Sequence, residues 1–142
     1  MLDKILCVDD DPITLMLFKK VISKTGFSKE TATAQNGEEA LIYFNNIQEI
    51  KKTQATIVIP QLIFIDLNMP IMGGWEFLER FSNTEYNDYN KTNIVVLSST
   101  IDPEDFEKAK KYPMVLDFLS KPITAAMLAY LNTKIEIQNS NP

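Results

Sequence analysis

Residues 61–70 read QLIFIDLNMP, a candidate strand Gln61–Ile65 whose apolar run is stopped by Asp66 and closed by Met69-Pro70. A short continuous apolar run bounded by turn formers marks a strand buried on both faces. Proline cannot donate to a ladder, so the chain must turn there. The same pattern recurs outward in both directions. Upstream, KILCV at 4–8 runs into Asp9-Asp10-Asp11-Pro12; downstream, NIVVL at 93–97 runs into Ser98-Ser99-Thr100 and VLDFL at 115–119 into Ser120-Lys121-Pro122. Lys29–Ala34, richer in β-branched and small residues, is a fifth candidate strand.

Helical patterns fill the gaps between these runs. Ile13–Lys24, Gly37–Ile50, Trp75–Phe81 and Pro103–Lys111 alternate with the strands, and Thr124–Ile137 follows the last one. In the first, Ile13, Met16, Leu17 and Val21 recur at helical spacing with Lys20 and Lys24 at the margin, predicting that this stripe faces the core. Glu39, Ala40, Ile42, Tyr43 and Phe44 suggest a similar stripe in the second, behind an Asn36-Gly37 turn. Asp11-Pro12 and Asp102-Pro103 read as capped helix starts with proline in the first turn. Lys51–Pro60 reads as an extended connection, and the polar residues from about Asn132 as a fraying tail.

Five strand–helix repeats predict an α/β fold: a flavodoxin-like (βα)5 doubly wound parallel sheet, strand order 2-1-3-4-5. Its functional crevice lies beyond the carboxyl ends of the strands. The chain has 142 residues, the length of one domain. We take 1–131 as that domain and 132–142 as the end of the last helix and a polar tail.

Composition removes several kinds of chemistry. There is no histidine, so no Ser-His-Asp triad, His-ligated zinc or phosphohistidine can form. The single cysteine, Cys7, excludes a disulfide framework and reads as a small core residue. Acidic residues outnumber basic ones 19 to 14, a net charge of −5 that argues against broad nucleic-acid or anionic-membrane binding. The charged N-terminus is neither signal peptide nor membrane span, and a cytoplasmic location is expected.

The fold demands that chemistry lie just after the strands, and there the sequence sets Asp9, Asp10, Asp11, Asp66, Ser98 and Lys121. Taken singly, each has an ordinary reading as a turn former, cap or solvated charge. Together they are harder to dismiss, because clustered carboxylates raise one another's pKa unless a cation joins them. Oxygen donors without His or Cys suit Mg²⁺, with Mn²⁺ as a substitute. A lysine and a hydroxyl across the crevice suit a phosphate, and a carboxylate can itself accept a phosphoryl group. Asp66 is the best-placed acceptor.

The stretches ILCVDDDP, LIFIDLNMPIMGG, IVVLSST and FLSKP, in this order, resemble the receiver domain of two-component response regulators from about Lys4 to Leu131. The resemblance implies that Asp66 accepts the phosphoryl group and that Asp10, Asp9, Asp66 and the Asn68 backbone carbonyl serve Mg²⁺. It implies that Ser98 and Lys121 bind the acyl phosphate, and that Ser98 and Phe118 form the switch, one of burial because Phe118 has no hydroxyl. Asn68 and Thr100 fall at positions that tune dephosphorylation in this family. It also implies a sensor histidine kinase or histidine phosphotransfer protein as donor and a downstream protein target. No nucleic-acid or membrane partner is implied, and the state would be a monomer or phosphorylation-dependent homodimer. The chain would be no enzyme beyond self-phosphorylation and slow autodephosphorylation, and is read as a stand-alone receiver. One departure stands out: Gly73-Gly74 occupies the place of the family's usual Asp-Gly.

Two alternatives remain at this point. A haloacid-dehalogenase-type phosphatase would use Asp9-x-Asp11, but this leaves no room for a cap domain and gives Asp66 no role. A receiver that only binds, unphosphorylated, has usually lost an acid or the lysine, and here every member is present.

Overall fold

All five expected strands form and pair in parallel in the order 2-1-3-4-5. They are β1 (Leu2–Val8), β2 (Ser28–Ala34), β3 (Leu62–Asp66), β4 (Asn93–Ser98) and β5 (Val115–Ser120). The helices are α1 (Pro12–Thr25), α2 (Gly37–Lys51), α3 (Gly74–Phe81), α4 (Pro103–Ala109) and α5 (Ala125–Ser140). This computed structural model describes residues 1–142 apart from Ala55, Asn90, Asn141 and Pro142.

Because successive side chains on a strand point to opposite faces, the inner strands divide their residues between two cores. Leu6, Val8, Ile63, Ile65, Ile94 and Val96 pack with Ala40, Leu41 and Phe44 of α2 and Phe77, Leu78 and Phe81 of α3. Ile5, Cys7, Leu62, Phe64, Val95 and Leu97 pack with Leu15, Phe18 and Ile22 of α1 and Leu128, Leu131 and Ile135 of α5. Helices therefore cover both faces, which is what continuous apolar strands require. Phe64 is a keystone of the second core, with the Phe18 ring edge-on at 4.9 Å. Truncating it to alanine is expected to cost about 3–5 kcal/mol.

The helix starts form as their sequences dictate. Asp11 caps α1, its carboxylate accepting from Ile13 N at 3.0 Å and from Thr14 Oγ1 at 2.9 Å. Asp102 caps α4 through Glu104 N, and Asn36 caps α2 through Glu39 N, both at 2.9 Å. α1 ends at Gly26, whose φ of 66° is the left-handed conformation that glycine adopts without strain.

Four expectations need correction. Ile13, Met16 and Leu17 are exposed, and α1 instead buries Leu15, Phe18 and Ile22. The helix is apolar on more than one side, and the aromatic Phe18, seated on Phe64, fixes its rotation. Ile42 is likewise exposed, while Leu41 and Ile47 join Ala40 and Phe44 in the core. Lys51 still belongs to α2, so the connection to β3 is shorter than Lys51–Pro60, and Ala55 within it lies outside the described residues. The stretch from Asn132 does not fray: α5 continues to Ser140, Ile135 is buried, and Gln138 and Asn93 exchange hydrogen bonds at 2.8 and 3.2 Å. Residues 141 and 142 of that tail lie outside the described residues.

A 3-10 segment, Thr84–Tyr89, between α3 and β4 had no sequence signal. Its Tyr86 and Tyr89 rings close the first core against Phe81 and Phe44. Among the described residues, no helix is long and apolar enough to cross a membrane.

Candidate functional site

Register sets the site. Val8 lies opposite Ile65, Asp66 opposite Leu97, and Ser98 opposite Ser120. The residues that end or follow these strands therefore emerge at one edge of the sheet. There Asp9, Asp10 and Asp66 each bring a carboxylate oxygen within 4.8 Å of the others. Lys121 reaches in from beyond β5, its Nζ donating to Asp9 Oδ2 at 2.5 Å and lying 3.2 Å from Asp66 Oδ2. The second Asp9 oxygen accepts from the Asp11 amide at 2.9 Å. Asp9 and Asp66 are buried, Asp66 at 7% exposure, whereas Asp10 is exposed.

Three carboxylates against one ammonium leave negative charge in excess. Burial raises the Asp66 carboxyl above its ordinary pKa and the charge of Asp9 adds to this, outweighing the pull of Lys121 and of the Asn68 amide. Burial alone would lower the Lys121 pKa, but its hydrogen bond to Asp9 and the charges of Asp66 and Asp9 outweigh it and keep the ammonium protonated. A second cation would relieve the cluster, and an all-oxygen donor set fits Mg²⁺ or Mn²⁺. Cys7 lies beneath the cluster, and burial, seconded by Asp9, pushes its thiol pKa up. It is a core residue, as expected, and not a thiolate donor.

The remaining predicted site residues are near but not all engaged. Ser98 is buried at the end of β4, and its hydroxyl donates to the Thr100 carbonyl at 2.6 Å rather than to the acids. Phe118 is already buried, at 5% exposure, with the Phe106 ring of α4 edge-on at 6.0 Å. Asn68 stands in the loop after β3 with its side chain exposed. Asp11 caps α1 and takes no part in the cluster.

Two sets of partners escaped sequence reasoning, although Trp75 itself reads from the sequence as a helix-packing residue. Asp117 on β5 accepts from Tyr130 Oη at 2.6 Å, Lys134 Nζ at 3.0 Å and the Phe118 amide at 2.7 Å. Burial opposes the ionised form, but these three donors outweigh it and hold the Asp117 carboxyl below the usual range. The partners lie 13 and 17 residues away on α5, beyond any local pattern. Trp75 on α3 reaches α4: its indole N–H donates to Asp105 at 3.3 Å, Lys108 Nζ sits 4.7 Å above the ring, and Tyr112 stacks at 6.2 Å.

With this geometry in place, comparison with known proteins is decisive for the family. The family model of the response regulator receiver domain matches residues 5–131. A two-component response regulator from Cytophaga hutchinsonii shares 32% identity over 95% of this chain and 97% of its own, with a TM-score of 0.78. The chemotaxis response regulator CheY4 of Vibrio cholerae shares 26% identity over 95% and 99%, with a TM-score of 0.67. Hybrid signal transduction histidine kinase F of Dictyostelium discoideum is 33% identical over 96% of this chain but only 11% of its own length. The probable C4-dicarboxylate response regulator DctR of Halalkalibacterium halodurans is 24% identical over 94% of this chain and 51% of its own. The chain thus spans a tenth to a half of these two relatives. It belongs to the response regulator receiver domain family, and its function is that of a phosphoacceptor in two-component signal transduction. Such domains are not in general enzymes in their own right, and they bind Mg²⁺ at an acidic cluster of the kind found here.

Proposed function

We propose, on the premise of that family membership, that Asp66 carries the phosphoryl group. The observation behind this reading is the buried, charge-excess cluster of Asp9, Asp10 and Asp66 around one lysine. The donor is a phosphohistidine on a sensor histidine kinase or a histidine phosphotransfer protein. The P–N bond breaks, a P–O bond forms to the Asp66 carboxylate, and the imidazole leaves with the electron pair of the broken bond. Asp9, Asp10, Asp66 and the Asn68 backbone carbonyl would hold Mg²⁺, with Mn²⁺ as substitute. Bound there, the cation offsets the clustered carboxylates and the charge on the phosphoryl oxygens.

Lys121 answers the phosphoryl charge from the β5 side, and to do so it must share the ammonium now given to Asp9 and Asp66. Ser98 exchanges its bond to the Thr100 carbonyl for one to a phosphoryl oxygen. That movement pulls on the segment leading to α4, and Phe118, packed against Phe106, is the core residue that feels it. Phosphorylation in this way shifts an equilibrium between two arrangements of one surface. The output is a contact with a downstream protein, as monomer or phosphorylation-dependent homodimer, in the cytoplasm. Self-phosphorylation from small phosphodonors and slow autodephosphorylation belong to the same reading.

The test is intact and peptide mass spectrometry after incubation with acetyl phosphate, with and without Mg²⁺. One hydroxylamine-labile phosphoryl group on Asp66 that requires Mg²⁺ is expected. No label on folded, Mg²⁺-bound protein points to a binding-only receiver, and label on Asp9 with turnover points to a phosphatase.

A further inference from the structure

The loop between β3 and α3 is held in a conformation its own residues resist. The Met72 amide donates to the Pro70 carbonyl at 2.7 Å, closing a three-residue γ-turn around Ile71. Ile71 has a φ of 70°, and the γ-turn of positive φ is a rare and strained form. A β-branched side chain makes it worse. Packing does not compensate, because Ile71 is 76% exposed. The neighbouring structure must therefore impose the turn.

Two clamps do so. On one side the Gly74 amide donates to the Leu67 carbonyl at 2.9 Å, and a Cβ on Gly74 would stand 2.7 Å from the Asp66 carbonyl oxygen. On the other, the Gly37 amide at the start of α2 donates to the Met72 carbonyl at 2.8 Å. Met72 is buried against this glycine: a Cβ there would lie 2.8 Å from Met72 Cγ and 3.0 Å from Phe77 Cβ. The first turn of α2 is itself fixed, with buried Asn36 accepting from the Glu39 amide at 2.9 Å. One of the free amides of a helix start is thus spent on the loop that follows the acceptor strand.

We propose that Gly37, outside the acid cluster, is a positioning residue for the Asp66 loop. Its amide grips the Met72 carbonyl and its missing side chain admits Met72, so the strained stretch carrying Asn68 stays folded beside Asp66. The inference rests on the reading of the cluster as a divalent-cation site. Coupling between two sites is reciprocal. A cation that draws on the Asn68 backbone must tighten the Gly37–Met72 bond, and loosening that bond must weaken the cation.

Amide hydrogen exchange on the wild-type chain, with and without saturating Mg²⁺, tests this directly by NMR. Exchange at the Gly37 amide is expected to slow about fivefold or more on Mg²⁺ addition. The Leu2 amide, bonded to Phe27 O at the far end of β1, serves as a local control and should change little. Mg²⁺-induced shifts at Asp9 and Asp66 with unchanged Gly37 exchange overturn the positioning role and leave the site intact. No Mg²⁺-induced shift anywhere removes the site and this inference together.

Calorimetric Mg²⁺ titration of two variants adds a second arm. Gly37→Ala should weaken Mg²⁺ by about fivefold or more, and Gly37→Ala/Met72→Ala, which removes the two Met72 contacts of the new methyl but keeps that to Phe77 Cβ, should recover part of the loss. A folded Gly37→Ala chain with wild-type affinity overturns the proposal. If that variant does not fold, the wild-type exchange measurement still decides.

Discussion

Two lysines near the end of the sheet meet aspartates, with opposite results. Lys134 meets Asp117 together with a tyrosine hydroxyl and a backbone amide, and the carboxyl titrates below its ordinary range. Lys121 meets Asp9 and Asp66 with Asp10 close by, and burial leaves the Asp66 carboxyl raised. The first site satisfies each charge and has nothing left to offer a ligand. The second holds more negative charge than its partner can answer, which is the condition under which a site binds a cation or does chemistry. The count of charge across the whole cluster separates them, whereas the presence of a salt bridge does not.

The sharpest way to break this contrast is Asp66→Asn. It should abolish acetyl-phosphate labelling completely while the circular dichroism spectrum stays native. Asp117→Asn should label at the wild-type rate. Label that survives in the first, or is lost in the second, erases the distinction.

Lysine removal should separate the sites next. Lys121→Ala leaves two buried carboxylates uncompensated and should cost about 3 kcal/mol in denaturant unfolding without Mg²⁺, part of which Mg²⁺ restores. It should also leave phosphorylation without its conformational response, read as unchanged Phe118 chemical shifts on labelling. Lys134→Ala, at a more exposed pair, should cost about 1 kcal/mol with no Mg²⁺ dependence. Equal losses at the two lysines would contradict the charge count.

The pH dependence of Asp117 sharpens the comparison further. Its folded pKa lies below the unfolded value. Its contribution is therefore present above the unfolded carboxylate pKa and is lost as pH falls through the folded one. Asp117→Asn should be about 1 kcal/mol less stable than wild type near neutrality, and the two should converge in acid. Constant separation at all pH values would mean that ionisation of Asp117 contributes nothing. The smallest effect is expected at Ile71→Gly. Relief of the γ-turn, about 1 kcal/mol for a single residue at the low end of such strain, is offset by glycine's extra chain entropy of about 0.5–1 kcal/mol. A net gain of about 1 kcal/mol or less in chemical unfolding is expected, and a loss would mean that the turn is not strained.

The sequence was most informative where one residue type does one job. Strand ends were legible because the apolar runs stop abruptly at Asp9, Asp66, Ser98 and Lys121, and parallel register then does the rest. Capping by Asp11 and Asp102 was legible for the same reason, whereas Asn36 read only as part of a turn and its capping of α2 came from the structure. The rotation of α1 was not, because PITLMLF presents apolar residues on several sides and only contact with Phe64 chooses among them. The extent of α5 was hidden by polar residues whose partners, such as Asn93 for Gln138, lie on another element. Gly73-Gly74 stood out in the sequence only as a departure from the pair the resemblance leads one to expect. What it could not announce is how tightly the loop closes: a Cβ at Gly73 would lie 2.8 Å from the Leu67 carbonyl oxygen. In this backbone any side chain at Gly73 would press on that carbonyl.

Trp75 is the only tryptophan in the chain, and it lies between α3 and α4. Of its own residues α4 buries only Ala109, so much of its attachment passes through this indole and through Phe106. Light absorbed at the red edge of the aromatic band, where tyrosine is transparent, therefore excites one fluorophore at one joint. Its emission is expected to change if the contacts with Asp105, Lys108 and Tyr112 change. An α4 displacement of the kind proposed would then be read from this indole without dye, label or engineered residue.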